Sequence, residues 1–216
     1  MNVSSRVWLI AVLSCVITSS SYAFEVTVVA DKDSTMWGSD PSFSSGKGSN
    51  LWTGINSLGQ PKRCAVHFNL GLAIPSDATI TSAVFRLTVN RAPSQPNFNA
   101  VIHKLKKRFG EGNSNSDIEG GGRGTSAFTR DMTLSHSEWN ITLWNIPGGD
   151  FVGDDNPATT GVDYDIEGAS ATQLVKKPIF GDTTPDFDWS SAQTVKDVQE
   201  WLDGPSSNYG WIVVGD

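Results

Sequence analysis

The sequence predicts an all-β domain, a sandwich or barrel of short strands, with one short helix laid against it near the C-terminus. Three observations lead there. Gly, Ser, Asn, Thr and Pro are spread through the whole chain instead of being gathered in one linker. Between them lie short apolar alternations of period two, the spacing of half-buried strands, as in sandwiches and barrels. One segment alone breaks that rhythm with helical spacing.

The chain opens on an export signal. Residues 1–23, MNVSSRVWLIAVLSCVITSSSYA, carry one positive charge at Arg6, an apolar stretch over 7–17, and small residues Ser21 and Ala23 either side of Tyr22. This is the layout of a secretory signal peptide cut after Ala23. The apolar stretch falls short of the roughly 20 residues that span a bilayer, and no other segment comes close. A second reading makes VLSC a lipoprotein box, with Cys15 the lipidated first residue. The expected product is one soluble domain, 24–216, of 216 − 23 = 193 residues, secreted or at the cell surface. Cys64 then has no partner for a disulfide within the domain, so packing alone must hold the fold. A domain of this size buries enough surface to do so.

The strands follow in order. Segments 24–30 and 49–53 are apolar and β-branched enough to pair. In KRCAVHFNL, Cys64, Val66, Phe68 and Leu70 share one face, while Arg63, Ala65, His67 and Asn69 share the other. In SAVFRLTVN, Ala83, Phe85, Leu87 and Val89 alternate with Val84, Arg86, Thr88 and Asn90. Pro75 and Asp77 supply the turn chemistry between these two strands. Segments 100–105 and 211–214 complete the set, and in the former Val101, His103 and Leu105 are expected to face inward. The helix is SSAQTVKDVQEWLDGP. Ser190 or Ser191 caps it, Val195, Val198 and Leu202 recur at helical spacing beside Trp201, and Gly204 with Pro205 ends it. Between Gly110 and Gly124 the run GEGNSNSDIEGGGRG is too polar and glycine-rich for core, and is expected as a long surface loop.

The charge balance restricts the partners. The whole chain has a formal charge of −7, and loss of Arg6 leaves 15 basic against 23 acidic residues, or −8. Phosphate binding needs a basic surface, so nucleic acid is not the expected partner.

Catalytic motifs are missing where they would be legible. His67, His103 and His136 are too far apart for a local metal motif, and no cysteine pair stands ready for zinc. SSGKGS around Lys47 fails as a phosphate loop because Gly48 follows the lysine where Ser or Thr is needed. No Gly-x-Ser-x-Gly elbow occurs. The acidic residues suggest more. Asp150, Asp154 and Asp155 crowd the glycine-rich PGGDFVGDDN, and Asp31 and Asp33 close the first strand of the mature domain. Carboxylates on loops suit calcium, which takes oxygen ligands in loose geometry, so these five are the candidate calcium ligands. The alternative is that each bonds its own turn backbone. A catalytic carboxylate pair such as Glu111 with Asp150 is a further option.

Seven tryptophans lie beyond residue 23: Trp37, Trp52, Trp139, Trp144, Trp189, Trp201 and Trp211. Trp201 and Trp211 sit among apolar residues and are expected in the core. Trp37 and Trp52 flank the loop GSDPSFSSGKGSNL, and Trp139 lies in polar SHSEWNIT. These three are the candidates for an exposed platform on which the C–H face of a sugar would pack.

The order ADKDSTMW, FSSGKGSNLWTG, KRCAVHFNL, IPSDATITSAVFRLTV, then FGEG, LWNIPGGDF and VKDVQEWLDGPSSNYGWIVVGD resembles the DNRLRE-domain family of secreted bacterial proteins. The resemblance covers nearly the whole chain after residue 23. It implies a jelly-roll-like antiparallel β-sandwich of the carbohydrate-binding-module type, and relatives that bind acidic polysaccharide such as alginate or sit beside other domains of larger secreted proteins. It implies no catalytic residue. Two positions depart from the family pattern: Arg108 and Phe109 replace an Asp-Trp pair before Gly-Glu-Gly, and Asn69 stands where Asp is common. Relatives also continue past the GW strand, so the chain is expected to be a fragment lacking its last one or two strands, with the 211–214 strand short of a partner. The function expected is a secreted, non-catalytic, polysaccharide-binding module. The alternatives are a structural or adhesion domain without a glycan ligand, and a polysaccharide hydrolase or lyase.

Overall fold

A computed structural model of the 216-residue chain describes residues 2–17, 20–91, 98–119, 122–145, 162–165, 171–175 and 186–215. Within these residues the strands are β1 (Asn2–Ile17), β2 (Ser20–Val29), β3 (Lys32–Trp37), β4 (Phe43–Ser45) and β5 (Asn50–Trp52). Next come β6 (Gly54–Ile55), β7 (Pro61–His67), β8 (Thr79–Arg91), β9 (Phe98–Lys104) and β10 (Thr125–Ser126). The last are β11 (His136–Glu138), β12 (Thr142–Leu143), β13 (Ala171–Val175), β14 (Asp186–Trp189) and β15 (Trp211–Gly215), with helix α1 (Ala192–Asp203) before β15. The fold is all-β, with antiparallel sheets and one α-helix near the C-terminus. No described helix is long and apolar enough to cross a membrane.

Among the described residues one sheet runs β14-β8-β1-β2 with β5 also on β1, and a larger one runs β10-β4-β3-β7-β15-β9-β13 with β6 on β7. β11 and β12 form a separate hairpin. The segment expected to be an export signal forms β1, antiparallel to β2 and to β8. The 211–214 strand is not short of a partner: β15 pairs with β7 on one side and β9 on the other. Both of its edges are therefore occupied.

Alternation decides which residues face the interior. In β8, Ala83, Phe85, Leu87 and Val89 are buried, as their period requires. Cys64, Val66, Phe68 and Leu70 join them in one apolar cluster that draws on both large sheets and the helix. Ala65, on the opposite face of β7, lies in a second cluster with Met36, Leu105, Phe109, Met132, Trp144 and Ile212, so β7 is covered on both faces. In β9 the fully buried residues are Ala100 and Ile102. On the face expected to point inward, Leu105 is buried in the second cluster while Val101 and His103 are half-buried, His103 with Nδ1 3.0 Å from the Asp165 carbonyl oxygen, so core lies on both faces of this segment.

Aromatic rings fill the first cluster. Phe85 packs edge-on to Trp211 at 5.6 Å and to Trp189 at 5.5 Å, and Trp201 lies 4.5 Å from Trp211. The helix begins where its capping chemistry places it. Ser191 Oγ accepts from the Gln193 and Thr194 main-chain N–H groups, and Thr194 Oγ1 accepts from the Ser191 N–H, a reciprocal box that satisfies orphan donors. The helix then binds the sheet through polar contacts as well. Gln199 bonds Ile80 and Ala78 main chain, and the buried Asp197 carboxylate accepts from Trp211 Nε1 at 2.8 Å.

Candidate functional site

In the polar run after β9, Asn113, Asn115 and Asp117 are exposed, as a surface loop requires, but the serines between them are not. Ser114 and Ser116 are fully buried, and their hydroxyls bond Gly46 N at 3.2 Å and Ser45 Oγ at 2.7 Å. Lys47 N donates to Ser114 O and Ser49 N to Asp117. The expectation of a surface loop is corrected only for Ser114 and Ser116. They pack inside because each of their hydroxyls meets a protein partner, which removes the penalty of burying it.

The centre of the arrangement is Phe109-Gly110-Glu111-Gly112. Gly112 has φ +74°, and a Cβ there would overlap the Asp131 carboxylate; a Cβ on Gly110 would overlap the Arg130 carbonyl oxygen. Only glycine fits either position, and the Glu111 side chain between them lines a cleft of about 340 Å³. Asp131 is the tie between the two walls. Fully buried, it accepts from Asn113 N at 2.5 Å and Phe128 N at 2.7 Å. Its neighbour Arg130 has φ 74°, a left-handed conformation that is costly for a long side chain and that occurs most at binding and catalytic sites.

The cleft is lined by Lys32, Arg108 and Arg130 and by Glu111 and Glu138, three cations against two carboxylates. In a chain of net charge −7 this is a local reversal of sign. Glu138 is almost buried and accepts from Arg108 Nη2 at 2.8 Å, with Arg130 Nη1 at 4.0 Å. Both arginine side chains remain 63% exposed, free to meet a ligand from outside. Lys32 Nζ donates to Phe109 O at 2.8 Å and lies 4.4 Å from the Phe109 ring centre. Burial lowers the Lys32 pKa. Behind it, Asp33 N donates to Glu111 Oε1 at 3.4 Å. Burial, and then the nearby Glu111 charge, push the Asp33 carboxyl up to about 7, and burial also raises Glu111.

Of the three tryptophans expected to form a platform, two are in the wrong place for it. Trp37 is fully buried and Trp52 is 5% exposed, with ring centres 6.0 Å apart. Lys62 Nζ lies over both rings, at 4.8 and 4.7 Å, and donates to Gly122 O. Gly124 sits so close to Trp37 that a Cβ would overlap the indole. The glycine-rich segment returns over the rings instead of leaving them open, and this buries them. Trp139 is half-buried against His136, and its main chain bonds Arg130 and Asp131, which ties it to the cleft wall.

The acidic candidates separate. Asp31 holds His67 at 2.6 Å, whereas Asp33 neighbours Glu111. Asp150, Asp154 and Asp155 lie outside the described residues. Among the described residues no three His, Cys, Asp or Glu side chains group as a metal site would need. The cleft brings together Lys32, Arg108, Arg130 and Glu138, none of which the sequence marks as functional. Arg108 and Phe109 enter the sequence reading only as a departure from a family pattern, and that departure falls on the cleft wall. No protein-family model, no curated protein and no solved structure matches the chain.

Proposed function

We propose that this is a secreted, non-catalytic module that binds acidic polysaccharide outside the cell, its two large sheets closing as a jelly-roll-like sandwich of the DNRLRE type. The supporting observation is the convergence of Lys32, Arg108 and Arg130 on one cleft of an otherwise acidic chain. An arginine fork matches a sugar carboxylate in geometry as well as charge. Glu138 holds that fork in place, and Glu111 offers acceptors to sugar hydroxyls.

Affinity electrophoresis of the full chain in gels of alginate or polygalacturonate tests this. Retardation is expected, weakening with added salt, and Arg108→Ala should abolish most of it. Migration unchanged on both acidic gels sinks the proposal.

A second reading has one observation in its favour. Glu111, raised by burial, and Glu138, held by arginine, share the cleft, and two carboxylates in unlike environments are what glycoside hydrolysis uses. Release of reducing ends from either polymer, lost in Glu111→Gln, would establish it over simple binding.

A further inference from the structure

A second pocket, of about 390 Å³, opens at the C-terminal end of β7, between the turn that follows it and the end of α1. Its chemistry differs from that of the cleft. No lysine or arginine lines it. We infer that it is a binding site for an uncharged, hydroxyl-rich ring, a neutral sugar unit, with His67 as the group that recognises a hydroxyl.

His67 carries the argument. Its Nδ1 lies 2.6 Å from Asp31 Oδ1. A carboxylate can only accept, so Nδ1 bears a proton, and whenever the ring is neutral its lone pair is on Nε2. Nε2 has no protein partner among the described contacts, and His67 lines the pocket. Asp31 thus fixes both the tautomer and the orientation of an acceptor that the protein itself leaves unused.

The rest of the wall has the same character. Asn69 bounds the pocket, and its side chain makes no capping bond to the 3₁₀ turn that follows, Leu70–Leu72. Ser76 contributes an exposed hydroxyl. Asn208 is rigid, donating to Phe68 O at 2.8 Å and accepting from Gly210 N at 3.2 Å. Of the apolar lining, Pro205 is exposed, and Ile74 and Trp201 are buried. Trp201 is 1% exposed, and its indole N–H is a buried donor without a partner, an omission that folded proteins seldom leave unanswered.

The class of ligand follows by elimination. An anion would find no cation here, and a cation would find only a carboxylate already bound to His67. A purely apolar molecule would bury Nε2 and the Asn69 amide without partners, which is costly. A sugar ring offers hydroxyls at its rim and C–H groups on its face, and a pocket of a few hundred Å³ with a few convergent polar groups suits it. The two sites share one strand start. Asp31 serves the pocket through His67, and Lys32 serves the cleft. The inference extends the glycan-binding reading but uses none of the cleft residues.

The test is a ¹H–¹⁵N NMR titration of the full chain with cellohexaose, mannohexaose and xylohexaose. At least one should shift the amides of His67, Asn69 and Ser76 together with the Trp201 indole N–H. His67→Ala and Asn69→Ala should each weaken that binding about tenfold, the equivalent of one lost hydrogen bond to a well-placed group. Asn69 is exposed, so its variant keeps the fold even if His67→Ala does not. Arg108→Ala should leave neutral-sugar binding unchanged. Pocket signals that stay still with all three sugars at saturating concentration would overturn the inference. So would shifts that map to the cleft and vanish with Arg108→Ala, and because the acidic gels test the cleft separately, either proposal can fail alone.

Discussion

Two regions of the interior are held by different forces. Beneath β8 and β15 the contacts are aromatic: Phe68, Phe85, Trp189, Trp201 and Trp211 interlock, each almost wholly buried. Beside the cleft, between Gly46 and Glu138, buried hydroxyls and the Asp131 carboxylate knit the chain together through hydrogen bonds. Burial of apolar area is strong but tolerant of direction, whereas a hydrogen bond weakens steeply when its angle is wrong. The aromatic region therefore supplies stability, and the hydrogen-bonded region supplies position. Charged groups that must meet a ligand in fixed geometry stand on the latter.

That division has measurable consequences. The largest concerns the sheet around the aromatic region. Deleting residues 1–23 takes β1 from between β8 and β2 and opens the β8 edge from Thr79 to Leu87. An exposed edge of that length pairs with other chains unless a strand of the same chain covers it. A secreted module cut after Ala23 needs β2 to take that place, so sedimentation velocity should show a monomer for the deleted chain and concentration-dependent association only if the edge stays bare. A monomeric deleted chain with an unchanged melt would mean that the aromatic region stands without β1.

Trp211→Ala comes next. A cavity of that size costs about 3–5 kcal/mol, and the Asp197 carboxylate also loses its Nε1–H donor. Urea unfolding should show the loss with hydrogen exchange accelerated across both large sheets. Asp131→Ala should act locally. It leaves the N–H groups of Asn113 and Phe128 without an acceptor, at about 1–3 kcal/mol for each that stays dry. Exchange should quicken at those amides first, and retention on acidic gels should fall while the aromatic region keeps its protection. If both variants gave the same exchange pattern, the two regions would be one cooperative unit.

A pH dependence is expected as well. Asp33 has a folded pKa of about 7 against an ordinary 3.8. The folded state then holds a proton that the unfolded chain has released, so the contribution is fully present below the unfolded value and is lost as pH rises towards 7. Asp33→Asn should flatten that slope and raise the melting temperature above pH 7 relative to the parent. A parent melting curve that is level between those limits would count against the burial of this carboxyl.

Much of the local structure was legible beforehand. The helix, its Ser191 cap and its Gly204 end follow from residue types within a few positions of one another. So do the buried face of β8 and one of the two buried faces of β7, since a period of two needs no knowledge of the neighbouring strand. Burial of Arg63 and Ala65 on the other face of β7 does need it. The cleft was not legible. Arg108 meets Glu138 across 30 residues and Asp33 meets Glu111 across 78, and no local pattern marks them as neighbours. Nor does the sequence distinguish a tryptophan beside a glycine loop that is covered from one that is bare. Trp37 and Trp52 are covered because the segment 122–124 folds back over them.

By itself, then, the sequence determined the class of fold, the helix and the strand faces, because periodicity, capping and turn chemistry act over short range. The tertiary structure alone decided that Ser114 and Ser116 of a polar, glycine-rich run would be buried, and that cations and carboxylates would converge on one cleft while Asp31 held His67 at the wall of a separate pocket. The physical reason is that a polar group is indifferent to burial until its partner is specified. Strand register brings that partner from far along the chain.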